Sequence, residues 1–174
     1  AWKRYILDVP ASYRAFRRDS VTLDRYRYER PEHASHIDET ELDAILLLML
    51  RSARELIRQD FVKRHIDEPR FTELARISSQ FLQQVLVDEA TDFSLLQLAC
   101  MESLTDPAIE SFFACGDFNQ RITGVGLKQL DQLEWISPRL KPQRINTVYR
   151  QSRLLNSFAA KLLEHMDGDT EAVG

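Results

Sequence analysis

Leu42, Ile45, Leu46, Met49, Ala53, Leu56 and Ile57 recur three and four residues apart. That spacing marks one face of an α-helix and predicts a helix over about residues 40–58. Leu47, Leu48 and Leu50 fill a second face, so the helix is expected to be covered on more than one side. Asp38 or Thr40 can cap it. A shorter helix is predicted from Phe71 to Ser79, after the Glu68-Pro69 break. The apolar run Val85-Leu86-Val87 stops at Asp88-Glu89, the pattern of a short strand buried on both faces whose carboxyl end presents acids. Thr91 or Asp92 can cap a following helix, which carries Phe93, Leu95, Leu96, Leu98, Ala99, Met101 and Leu104 and stops at Asp106-Pro107. A second buried strand, Phe112 to Cys115, ends in Gly116-Asp117. Beyond it the pattern predicts a loop at Gly124 to Gly126, a helix from Leu127 to Leu133, a turn after Trp135-Ile136 and a strand from Arg144 to Thr147. A final helix follows Ser152, with Leu154, Leu155, Phe158, Ala159, Leu162, Leu163 and Met166 as its apolar stripe; Asp167-Gly168 ends it and a mobile tail is expected. Residues 1–36 mix aromatics with arginines without a long period and suggest short helices joined by turns. Strands alternating with helices imply an α/β fold, a parallel sheet flanked by helices.

Composition narrows the class. The 174 residues include only 5 glycines and 6 prolines, with 44% hydrophobic and 29% charged positions, so collagen-like and low-complexity chains are excluded. The net charge of -4 excludes a generally basic nucleic-acid coat. Residues 1–36 nevertheless hold eight basic and five acidic side chains, which makes them +3 and the remainder -7. Cys100 and Cys115 lie in apolar runs and read as reduced core residues. The longest apolar run, Ala44 to Leu50, is too short to span a bilayer, and no signal-like segment opens the chain. A soluble, cytoplasmic protein without a membrane partner is therefore expected. The first residue is Ala1, as in a piece cut from a longer polypeptide.

No G-x-x-x-x-G-K-[ST] phosphate cradle occurs; the nearest string, Gly124-Val125-Gly126-Leu127-Lys128, has the wrong spacing and no hydroxyl after its lysine. The candidate chemistry lies at strand ends instead. In a parallel sheet the carboxyl ends of the strands form the ligand edge, so Asp88-Glu89 and Asp117 with Gln120 would share a rim. A solvated strand terminus or a helix cap is the plainer alternative for either acid group.

Three strings carry a family resemblance. Val85-Leu86-Val87-Asp88-Glu89-Ala90-Thr91-Asp92 is similar to motif II of the UvrD/Rep-like superfamily I DNA helicases, apolar residues followed by D-E-x-Q-D. Cys115-Gly116-Asp117-Phe118-Asn119-Gln120-Arg121-Ile122 resembles motif III, G-D-x-x-Q-x-I. Asn146-Thr147-Val148-Tyr149-Arg150-Gln151-Ser152 resembles motif IV, whose core is Y-R-S before a helix. Order and spacing match as well, and the likeness spans roughly Phe81 to Met166.

The resemblance implies a partial P-loop NTPase (RecA-like) motor domain. Residues 1–80 would be a mainly helical segment of the first motor domain, 81–142 its α/β part with motifs II and III, and 143–174 motif IV with the entry to the second. It implies ATP and Mg²⁺ as cofactors and single-stranded DNA or DNA junctions as partner. Asp88 would hold the Mg²⁺, Glu89 would orient and deprotonate the attacking water, Gln120 would sense the γ-phosphate, and Arg150 would stabilise the developing charge. Asp92 and Asp117 would position the neighbouring loops.

The chain departs from the family in three respects. Thr91 stands where glutamine is usual, no aromatic follows Gln120 to stack on a base, and the phosphate loop and later motifs are absent. The piece alone is therefore expected to be inactive. A non-catalytic regulatory or interaction module with a helicase-like fold is the alternative. A metal-dependent phosphoesterase using Asp88, Glu89 and Asp117 is a third reading, less favoured than either. His33 and His36 share a possible helix face without a third ligand in pattern. The aromatics and arginines of residues 1–36 could bind single strands, or pack inward with the arginines solvated, the favoured reading.

Overall fold

The computed structural model describes residues 2–19, 36–117, 132–145 and 153–165. It divides into two compact units, Ala1–Val87 with Leu96–Phe113, and Asp88–Leu95 with Ala114–Gly174. The described residues are mostly helical, with a small parallel sheet of two strands.

The first unit is organised on a long helix. Helices α1 (Trp2–Leu7) and α2 (Val9–Arg18) precede α3 (Glu39–Arg58), which is followed by α4 (Asp60–His65), a 3₁₀ turn at Pro69–Phe71, and α5 (Thr72–Ser78). Asp38 caps α3 through a reciprocal pair of bonds: the Glu41 N–H donates to Asp38 Oδ1 at 2.7 Å, and the Asp38 N–H donates to Glu41 Oε2 at 3.0 Å. The predicted apolar face of α3 is realised at Ala53 and Ile57, which join Ile6, Val62, Phe71 and Leu74 in one buried cluster. Met49 and Leu56 pack against its rim.

A further side of α3 meets α6 (Leu95–Ser103) through polar bonds that periodicity does not carry. The Cys100 thiol donates to the Asp43 carbonyl at 3.3 Å, and Leu47 is buried. About two turns beyond Leu47, Arg54 is buried with its guanidinium turned to the end of α6. Its Nη1 donates to the carbonyls of Glu102 (2.9 Å) and Thr105 (3.0 Å) and to the Thr105 hydroxyl (2.9 Å). Its Nη2 lies 3.3 Å from Glu110 Oε1 and 3.7 Å from Glu102 Oε1, and Arg58 also pairs with the Glu110 carboxylate. A cation at a helix C-terminus meets carbonyls without intrahelical partners and the negative end of the helix dipole. Covering is not complete, because Leu42, Leu46 and Leu48 stay exposed.

The sheet pairs β1 (Gln84–Val87) with β2 (Ser111–Ala114). A parallel bridge between Leu82 and Thr105 leads into it, closed by Leu82 N–H to Leu104 O (2.8 Å) and Asp106 N–H to Leu82 O (2.7 Å). The helix ends at Ser103, ahead of the expected stop at Asp106-Pro107; Asp106 instead holds the next turn, its side chain accepting from the Ala108 N–H and its carbonyl from Ile109 and Glu110. Both strands differ from the expectation of full burial. Val87 is 6% exposed, whereas Leu86 is 65% and Phe113 58% exposed. Alternate residues of a strand face opposite ways; one side of this sheet is packed, and no described element covers the side of Leu86 and Phe113. The second strand also ends one residue early, which leaves Cys115 exposed and corrects its reading as a core residue. Cys100 is buried as expected, and both thiols are free.

The amino-terminal helices settle how their aromatics are used. The Trp2 indole N–H donates to the Arg70 carbonyl at 3.1 Å, and its ring lies 6.0 Å from that of Phe71. The Tyr13 hydroxyl donates to Glu41 Oε1 at 2.8 Å, beside the Arg17–Glu41 ion pair at 3.1 Å. These rings are spent on packing, while Tyr5 is exposed. Tyr26, Tyr28 and His33 lie outside the described residues.

In the second unit, α7 runs Gln132–Ile136, so Trp135-Ile136 close a helix rather than follow one. Residues 127–131 of the predicted helix lie outside the described residues, as do 124–126, 146–152 and the tail. Arg144 and Ile145 are not in a strand: neither makes a ladder bond to β1 or β2. Helix α8 (Arg153–His165) forms as expected, with Leu154, Leu155, Phe158 and Leu162 of its apolar stripe exposed.

Two outcomes test this account. Arg54→Met removes the cation from the buried Thr105 carbonyl and from the carboxylates of Glu102 and Glu110 and should cost about 3–5 kcal/mol in urea unfolding, while Arg58→Ala, at a half-exposed side chain, should cost less than about 1 kcal/mol. Burial, then the bond to Glu41, raises the Tyr13 phenol above its ordinary value. Unfolded, Tyr13 ionises near pH 10, whereas in the fold it stays neutral beyond that. The stability advantage of the parent chain over Tyr13→Phe should therefore be constant below about pH 10 and fall as the pH rises past it.

Candidate functional site

The second unit contains the ends of both strand-to-loop transitions. After Val87 the chain leaves the ladder at Asp88 and Glu89, both exposed. Glu89 adopts φ 50° and ψ 45°, the left-handed region that L-residues other than Gly, Asn and Asp seldom enter. Such a conformation costs about 1–3 kcal/mol and persists only where neighbours impose it. Here the Glu89 N–H donates to Asp88 Oδ1 at 2.9 Å, and a 3₁₀ turn at Ala90–Asp92 follows at once, with Ala90 and Thr91 buried.

Three contacts hold that turn against the end of β2. The Ala90 N–H donates to the Cys115 carbonyl at 2.8 Å. The Thr91 hydroxyl donates to the Asp117 carbonyl at 3.2 Å. Between them Gly116 passes so close that a Cβ would stand 3.0 Å from the amide nitrogens of Ala90 and Thr91. Those nitrogens are backbone and cannot yield cheaply, so any side chain at 116 would push the two loops apart and glycine is the residue that fits.

The Asp88 carboxylate is oriented twice. Besides the Glu89 N–H, the Cys115 thiol donates to Asp88 Oδ1 at 3.2 Å. That bond, with some burial and the charge of Asp88 itself, raises the Cys115 thiol above its ordinary value. Cys100 is raised too, to about 11, chiefly by burial and then by Asp43.

The structure places Asp88 and Glu89 directly after β1 and, through Thr91, fastens the Asp117 carbonyl to the turn that follows them. Gln120 and Arg150 lie outside the described residues. Thr91 does not cap the following helix; its hydroxyl is committed to Asp117, and α6 begins only at Leu95. Cys115 is the residue that sequence reasoning missed. Its place directly before Gly116-Asp117, at the end of the neighbouring strand, is the signal that could have found it.

Among the described residues no group of three or more His, Cys, Asp and Glu side chains is placed to hold a metal ion. Asp88 and Glu89 offer hard oxygen donors of the kind Mg²⁺ takes, one or two carboxylates with phosphates and water completing the shell. The donor set fits a metal that arrives with a phosphate ligand. No helix among the described residues is long and apolar enough to cross a membrane. Comparison with protein-family models, with curated proteins and with solved structures finds no match in any of the three.

The Asp88–Cys115 contact has a direct readout. Asp88→Asn weakens the hydrogen bond and removes the charge that together hold the thiol up, so Cys115 should alkylate faster at pH 8 than in the parent chain, while buried Cys100 stays slow. Equal rates in the two proteins would show that the contact is not kept in solution.

Proposed function

We propose that the chain is part of a UvrD/Rep-like superfamily I motor, a P-loop NTPase (RecA-like) domain coupling ATP hydrolysis to movement on single-stranded DNA in the cytoplasm. The observation that carries this reading is that the turn Ala90-Thr91, immediately after Asp88-Glu89, is bonded to the Cys115 and Asp117 carbonyls just beyond the paired, parallel β2. Each acid segment follows its own strand, and one backbone bond with one side-chain bond ties the two loops together. An edge of this kind is where α/β proteins place ligands.

In this reading Asp88, oriented by the Glu89 N–H and Cys115, presents an oxygen to the magnesium of Mg-ATP. The ion would neutralise charge on the β- and γ-phosphates. Glu89 projects from a left-handed turn one residue further on and takes a proton from the attacking water. Gln120 reads the γ-phosphate, and Arg150 lowers the energy of the transferring group. The phosphate cradle, which this sequence does not contain, is supplied by another segment of the working enzyme. The division into residues 1–80, 81–142 and 143–174 belongs to the same reading.

The deciding experiment is an ATPase assay on the polypeptide as its gene encodes it, with and without single-stranded DNA. Turnover should be stimulated by DNA, and Glu89→Gln should lower it by about 10²–10⁴-fold with nucleotide still bound. DNA-stimulated turnover that is unchanged in Glu89→Gln overturns the assignment.

One observation favours a second reading, a non-catalytic interaction module on a helicase-like fold. Thr91, where the family has glutamine, is 3% exposed and spends its hydroxyl on the Asp117 carbonyl, so it offers nothing to a phosphate. Absence of ATP binding and turnover in the same assay, with the fold intact, decides for that reading.

A further inference from the structure

We draw no further inference here: the strongest candidate, the apolar face of the two-stranded sheet on which Leu86 and Phe113 lie exposed, is an uncovered surface, and nothing in the structure shows what covers it.

Discussion

A guanidinium buried in a protein interior must find acceptors, because an uncompensated charge there costs several kcal/mol. Arg54 meets that demand with groups that are far from it in sequence and decide the course of the chain. Two are carbonyls at and just beyond the end of α6, one is the Thr105 hydroxyl, and two are the carboxylates of Glu102 and Glu110. Thr105 also bridges to Leu82, three residues before the Val85-Leu86-Val87 strand. Glu110 stands immediately before β2, at φ 53°, a conformation of the kind that needs outside support. One side chain on α3 therefore holds the entry to each strand. The helix is not simply the largest apolar surface in its unit; it carries the fastening from which the sheet is laid.

The acid edge uses a different economy. There the holding groups are backbone atoms and small side chains, and Asp88 and Glu89 lie at the exposed surface. Ala90 N–H to Cys115 O carries the pairing of the two chains beyond the last strand residues, and Gly116 lets them approach more closely than any Cβ would permit. The Asp88 carboxylate spends one oxygen on two weakly competing donors. A carboxylate aimed in this way loses little orientational freedom when it meets a ligand, which is what a binding group needs. The strain at Glu89 fits the same view, since a left-handed glutamate survives only where the turn after it is pinned.

What could be read from the sequence divides along physical lines. Helix α3 was legible because seven apolar residues keep one period and Asp38 stood with Thr40 as a candidate cap; that Glu41 completes the cap came only with the structure. The strands were legible in place, and the acids at their ends with them, because apolar runs that stop at charge mark where a chain leaves a sheet. Their burial was not. Val85-Leu86-Val87 records what a strand tolerates on each side and not whether a covering layer is present, so Leu86 came out exposed. Arg54 was illegible for the opposite reason: within a helical pattern an arginine reads as solvated, and its partners lie 48 to 56 residues away. The two left-handed glutamates, Glu89 and Glu110, carry no glycine to announce them.

The substitution at Thr91 bears on both functional readings through one geometric fact. A β-branched side chain with a short hydroxyl can reach the Asp117 carbonyl and still lie beneath Gly116, whose would-be Cβ stands 3.2 Å from Thr91 Cγ2. A glutamine in that closed space would have to project elsewhere or push the two chains apart. In this chain the position is therefore a rivet between the turn after β1 and the loop after β2. For a motor, such a rivet couples the acid pair to the loop that leads to Gln120 without contributing a phosphate ligand. For an interaction module, it keeps the same edge rigid with no nucleotide at all. Both readings can use the rivet, though by withholding a phosphate contact it leans toward the interaction module; the chemical competence of Glu89 is what decides between them.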